Sequence, residues 1–271
     1  MTRTVVIACA GPRIGESVAR KFAEEGCSVG LFACSEAYLT RLADELAEET
    51  EGDAIAIPTD VTNPAGVEAG FDRVREAFGP VEVLCNNAYP TGDTESGLAA
   101  SDGGPPGADR SAFERSWRVW AYGSFLCSEQ AVADMVAENG GTVLFTSVPF
   151  ALRGGETSHN PAGFAARGLA RSLAHRLWPE GVHIVNVIID GNVGKLGQRD
   201  WANLLDDEWI HPDRVADTYW DLVEQHPSAW TLELDLGAHA APIGFELSGD
   251  PPFPTADRSS PRCSSGYFRS D

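Results

Sequence analysis

Thr4-Val5-Val6-Ile7-Ala8-Cys9-Ala10-Gly11-Pro12-Arg13-Ile14-Gly15 decides the fold. A run of β-branched and apolar residues breaks at Gly11-Pro12, and Ile14, Val18 and Phe22 then recur at helical spacing as far as Gly26. That pattern predicts a buried strand, a glycine-containing turn and an amphipathic helix. A turn of this kind lets a backbone approach a pyrophosphate at the helix N-terminus. On its own the turn reads equally well as a plain strand–turn–helix.

The alternation continues outward from there. Ser28 to Ala33 is a second strand, followed by a helix marked by Leu39, Leu42 and Leu46, and Ala54 to Pro58 is a third. Asp60-Val61-Thr62 leads into Asn63-Pro64, an N-cap with proline at the first helical position. Val81 to Cys85 is a fourth strand, and Ser111 with Glu114 forms a capping box that opens one helix to about Glu138. Thr142 to Thr146 and Val182 to Ile188 are further strands, separated by a helix that Asn160-Pro161 caps and that carries Leu169, Leu173 and Leu177 on one face. A helix through Val215, Tyr219 and Leu222 precedes a last strand near Trp230 to Leu236. Strands alternating with helices predict an α/β fold: a single doubly wound Rossmann-type domain with a parallel sheet of about seven strands and helices on both faces. Residues 1–241 form that domain. Residues 91–110 read as a mobile surface loop, and 242–271 as a loosely ordered tail without periodicity.

Composition narrows the function classes. Hydrophobic residues make up 43% of the 271, enough for a core, and 40 acidic against 20 basic residues give a net charge of −20. Such a surface repels phosphate backbones and anionic membranes, which argues against nucleic-acid binding. Only Lys21 and Lys195 are lysines; the other basic residues are arginines. High acid with so little lysine points to a halophilic protein, the alternative being an ordinary acidic one. Cys9, Cys27, Cys34, Cys85, Cys127 and Cys263 show no CxxC pattern, and His175, His183, His211, His226 and His239 show no ligand spacing, so neither a disulfide framework nor a metal site is expected. No apolar run reaches the roughly twenty residues of a membrane span, and the apolar start breaks too early for a signal peptide. A cytoplasmic, reducing location is the expectation.

With the elements in this order, the chain resembles the short-chain dehydrogenase/reductase family over residues 4 to 236. The family's turn reads Gly-x-x-x-Gly-x-Gly, and its glycines fall at Cys9, Arg13 and Gly15, with Gly11 between them and Ile14 beside. Asp60-Val61 stands where the family contacts the adenine ring. Asn86-Asn87-Ala88 matches Asn-Asn-Ala-Gly with Tyr89 in place of glycine, and Asp190-Gly191 stands where relatives carry Pro-Gly beside the nicotinamide. The resemblance implies NAD or NADP bound by Gly11, Arg13, Ile14, Gly15, Asp60, Val61, Asn87, Ala88, Asp190 and Gly191. Arg13 either obstructs the phosphate path or pairs with a phosphate. Glu36, after the second strand, reads as an acid at a helix start rather than a ribose ligand.

The family's catalytic set departs further. Its tyrosine and lysine fall at His159 and Gly163, its asparagine at Trp120, and its serine at Val148 or, one residue earlier, Ser147. None of Tyr38, Tyr89, Tyr122, Tyr219 and Tyr267 has a lysine four residues on. Trp120 in place of a small polar residue implies a narrowed site. Tyr89, Tyr122 and Arg153 are further pocket candidates, with aromatic packing the default for the tyrosines. Trp201 and Trp209, between the sixth strand and the next helix, read as local core. Two functions stand open: an NAD(P)-dependent oxidoreductase of a small carbonyl or alcohol substrate with His159 and Ser147 as acid/base and orienting group, or a catalytically inactive binding or assembly subunit. In both, the resemblance implies a homo-oligomer or a partner subunit.

Overall fold

The computed structural model describes residues 2–90, 110–154, 157–194 and 206–240. The 91–109 loop, Lys195, Trp201 and the 242–271 tail lie outside the described residues. β1 (Thr4–Ala8), β2 (Ser28–Ala33), β3 (Ala54–Pro58), β4 (Val83–Asn86), β5 (Gly141–Ser147), β6 (Val182–Asp190) and β7 (Glu233–Gly237) form one sheet in the order β3-β2-β1-β4-β5-β6-β7. All six pairings are parallel, so every strand delivers its carboxyl end to the same edge. The order reverses between β1 and β4, and ligands of such sheets bind at that crevice.

Strand alternation sends side chains to opposite faces. Val5, Ile7 and Leu31 pack with Phe22, Leu42 and Tyr219 on the face covered by α1 (Ile14–Glu24), α2 (Glu36–Glu49) and α8 (Pro212–Val223). Val6, Ala8 and Phe32 pack with Phe71, Met135 and Leu177 under α3 (Pro64–Phe78), α5 (Gly123–Ala137) and α7 (Asn160–Leu177). The Asn63 cap forms as expected, its side chain accepting from the Gly66 amide.

Three local expectations shift. The helix beyond the fourth strand is already running at Arg110, so Ser111 lies inside the first turn of α4 (Arg110–Ser116) and not at its cap. It is also not one regular helix. Trp117–Tyr122 form a π-helical turn, closed by the Gly123 amide donating to the Arg118 carbonyl, before α5 resumes. The wider turn lets the consecutive residues Trp120 and Ala121 both face inward while Trp117 and Tyr122 stay exposed. Third, His159 holds the N-cap position of α7 and Asn160 is its first helical residue; α6 (Phe150–Arg153) precedes it.

The β6–β7 side carries two titratable groups with lowered pKa, buried His183 and half-buried Glu233. His183 is 1% exposed, stacks on Trp230 at 4.9 Å and donates from Nε2 to the Thr231 carbonyl at 2.8 Å. Burial lowers its pKa. Glu233 accepts two hydrogen bonds from Arg167 at 2.7 Å and one from Asn186, and the Arg167 contact leads in lowering its pKa. For His183, stability is full above the unfolded pKa of about 6.5 and is lost as pH falls toward the lower folded value. For Glu233 it is full above about 4.3 and is lost as pH falls through its depressed folded value. Thermal melts between pH 8 and pH 5 are therefore expected to show a falling Tm below neutrality. His183→Gln, which keeps a donor for Thr231 and removes the titration, is expected to flatten that decline; an unchanged slope would assign it elsewhere.

Candidate active site

The ends of β1, β3, β4, β5 and β6 build the site. At β1, the chain turns with Cys9 at φ 67° and Arg13 at φ 94°, a backbone region that L side chains rarely adopt and glycine enters freely. The two positions matched to family glycines thus keep a glycine's backbone path while carrying side chains. Gly15 answers a different demand: a Cβ there would sit 2.8 Å from the Cys9 carbonyl oxygen, so only glycine lets α1 approach the turn this closely. α1 has no side-chain cap. Gly11 has open space around it, and Ile14 packs partly against the α1-side core.

At β4, Asn87 clamps the turn: its amide donates to the Ala8 carbonyl and its Nδ2 to the Cys9 carbonyl, both at 3.0 Å. The neighbouring Asn86 donates from Nδ2 to Ser128 Oγ across to α5. Ala88 is buried. After β3, Asp60 accepts from the Thr62 amide at 2.9 Å while Val61 is buried beneath α5. Asp60 borders a groove of about 380 Å³ with Thr62, Ser111, Arg115 and Arg118. Glu36 is the first residue of α2, the place expected of a helix-start acid.

At β5, Ser147 is 2% exposed, and its Oγ has no hydrogen-bond partner, so it makes no hydrogen bond to His159. Across the register Ser147 faces Ile188 of β6, and two residues further Asp190 ion-pairs with Arg153 at 4.0 Å. Gly191 follows, against Ile210. Tyr219 donates or accepts a 2.7 Å hydrogen bond with Thr146 from the opposite face; burial pushes its phenol upward, which makes it an anchor for α8. Trp209 is 8% exposed over Gly194, as core.

The decisive contact lies between the π turn and α7. Trp120 is 2% exposed, meets Tyr89 edge-on at 5.1 Å and packs with Ala162 and Ala166. A Cβ placed on Gly163 would lie 2.7 and 2.8 Å from Trp120 Cη2 and Cζ3. The indole therefore covers the face of α7 where the family's lysine would project. His159, half-buried, stands one turn before, its carbonyl accepting from the Ala162 and Gly163 amides. The sequence matches Trp120 and Gly163 to two separate positions and gives no sign of their mutual contact, because nothing in the spacing shows that a π turn aims the one at the other.

Known proteins share this architecture. A short-chain dehydrogenase from Rhodopseudomonas palustris superposes with a TM-score of 0.71 at 27% identity, covering 86% of this chain and 97% of that one. An alcohol dehydrogenase from Thermococcus sibiricus, complexed with 5-hydroxy-NADP, gives a TM-score of 0.74 at 21% identity, covering 88% and 97%; that likeness is one of fold. Secoisolariciresinol dehydrogenase of Forsythia intermedia is 26% identical over 178 residues, 63% of this chain and 59% of that protein. The 7alpha-hydroxysteroid dehydrogenase of Escherichia coli K12 is 28% identical over 194 residues, 70% and 71%. The chain spans between half and three fifths of the length of several of its curated relatives. A family model described as short chain dehydrogenase matches residues 3–195, and with that match over most of its length the chain belongs to the short-chain dehydrogenase family.

Proposed function

We propose that the protein is an NAD(P)-dependent oxidoreductase acting on a small carbonyl or alcohol substrate through a non-standard active site. The observation that carries this reading is Ser147 Oγ, buried at the carboxyl edge of the sheet without a hydrogen-bond partner. Buried hydroxyls are normally satisfied, and one held ready at a strand end suits a substrate oxygen. The β1 turn fits a dinucleotide: its glycine-like backbone, the close approach at Gly15 and the uncapped α1 suit a pyrophosphate. Arg13 is exposed there and supplies a cation for the phosphates. Asn87 holds the turn in place; Asp60 and Val61 would hold the adenine end of a dinucleotide, and Ala88, Asp190 and Gly191 the nicotinamide end. A nicotinamide held there would supply or accept the hydride. Ser147 then orients the substrate oxygen, and His159 gives it a proton in reduction and takes one in oxidation.

A second reading, an inactive binding or assembly subunit, is favoured by Trp120 lying over Gly163. Titrating NADH and NADPH in molar KCl, then screening small ketones and alcohols, separates the two. We expect binding of one dinucleotide, turnover, and a fall in kcat of roughly 10²-fold or more in both Ser147→Ala and His159→Ala. Turnover untouched by both changes would remove these residues from the mechanism, and binding without any turnover would favour the second reading. We further propose a homo-oligomer, because Phe113, Trp117 and Phe125 on the α4–α5 helix and Phe164 on α7 are exposed.

A further inference from the structure

We propose that Cys9 and Cys34 form a reversible disulfide that ties the β1–α1 turn to the β2–α2 turn and shuts the dinucleotide edge under oxidation. The two residues follow neighbouring parallel strands that pair through Ala8 and Phe32. Beyond that pair the next bond is made by the Ala10 amide to the Phe32 carbonyl at 2.8 Å, so Cys9 is an extra residue bulged out of the ladder. Its φ of 67° turns its side chain off the face of Val5 and Ile7 and onto the face of Val6, Ala8 and Phe32. Along β2, Phe32 belongs to that same face and Ala33 to the other, so alternation returns Cys34 to the face that Cys9 has joined.

Reach and access agree. Neighbouring strands run about 4.8 Å apart, so cysteines just past the ends of two paired strands fall near the roughly 4.4–6.8 Å Cα separation of a disulfide. The charge of Cys34 adds to burial in pushing the Cys9 thiol up to about 12. Cys34 is exposed, whereas Cys27, Cys85 and Cys127 are buried. Cys127 also senses Cys9, but it lies inside α5 with no route for an oxidant.

The chemistry needs a two-electron oxidant such as hydrogen peroxide. The Cys34 thiolate attacks a peroxide oxygen, breaking the O–O bond to give a sulfenic acid and, with a proton, water. Cys9 sulfur then attacks the Cys34 sulfur; the S–S bond forms, the S–O bond breaks, and the Cys9 proton leaves with the hydroxide as a second water. A dithiol reverses the bond by exchange. Cys9, buried and held as the thiol, is not itself a target for peroxide, so oxidation begins at exposed Cys34. Closure of the dinucleotide edge rests on the reading given under Proposed function; the cross-link itself does not.

The test is peptide mapping of the whole protein after peroxide treatment, without reduction, using chymotrypsin, which cuts at Phe32 between Cys27 and Cys34. A Cys9–Cys34 cross-linked peptide is expected in the parent and in Cys127→Ser, absent in Cys34→Ser, and removed by dithiothreitol. Cys34 recovered only as sulfinic or sulfonic acid, or a cross-link that survives Cys34→Ser, would overturn the proposal. NADH and NADPH titration before and after oxidation adds the functional arm: at least a tenfold loss of affinity is expected, restored by dithiothreitol, and unchanged affinity in cross-linked protein would overturn the closure. Reduced protein that binds neither dinucleotide would count against the proposed oxidoreductase and leave the mapping result to decide the disulfide.

Discussion

The double variant His159→Tyr/Gly163→Lys is expected to unfold at a lower temperature than the parent and to reduce no carbonyl compound. A side chain at position 163 starts 2.7 Å from a fully buried indole that is itself held edge-on against Tyr89. Overpacking of this kind costs about 1–3 kcal/mol, which lowers Tm by roughly 2–4 °C per kcal/mol in a domain of this size. Trp120→Asn alone empties the space and is expected to cost about 3–5 kcal/mol, as large-to-small changes at buried aromatics do. Combined, the three changes refill what the indole leaves: the triple variant is expected to be more stable than Trp120→Asn and to regain carbonyl reduction that the double variant has lost. Differential scanning calorimetry with an NADH and NADPH oxidation assay reads all four proteins. A double variant with parental Tm, or with activity while Trp120 is in place, would show that the indole is no barrier.

The second large effect concerns the turn at β1. Arg13 adopts φ 94° and ψ −118° while carrying a Cβ, a conformation that costs on the order of 1–3 kcal/mol. Arg13→Gly relieves it and leaves a tolerated N-cap residue for α1. Its Tm is expected to rise by several degrees, at roughly 2–4 °C per kcal/mol, while its affinity for NADH and NADPH falls because the guanidinium is lost. Strain kept at a binding turn has this opposed signature: the relaxed variant is sturdier and binds less well. A variant that melts earlier than the parent would show that the contacts of Arg13 outweigh its backbone strain.

The element order was legible because each element carries its own periodicity. Leu39, Leu42 and Leu46 are all fully buried on one face of α2, and Asn63 caps α3 as its spacing requires. Boundaries moved where the signal is not periodic: β4 begins at Val83 and not at Val81, and β6 runs on to Asp190 because parallel pairing with β7 continues past Ile188. The site was half legible. Cys9 and Arg13 could be matched to glycine positions from the sequence, but that their backbones keep positive φ is a property of the folded turn. The Arg153–Asp190 ion pair joins residues 37 apart through the β5–β6 crossover, and no local pattern encodes it.

The β7 border of the sheet has a bearing on how the protein behaves at high concentration. Among the described residues nothing pairs with its outer side, and an open strand edge is a template for stacking copies into aggregates. Here that edge carries Glu233 and Asp235 two residues apart, with Glu233 tied down by Arg167 and Asn186. In molar salt the Debye length shrinks to about 3 Å, so the net charge of −20 no longer keeps molecules apart. What remains is the water that a second strand would have to strip from those carboxylates, a cost that added salt does not cancel. At high ionic strength, the resistance of this edge to pairing with a second copy thus rests on the hydration of its carboxylates rather than on the net charge.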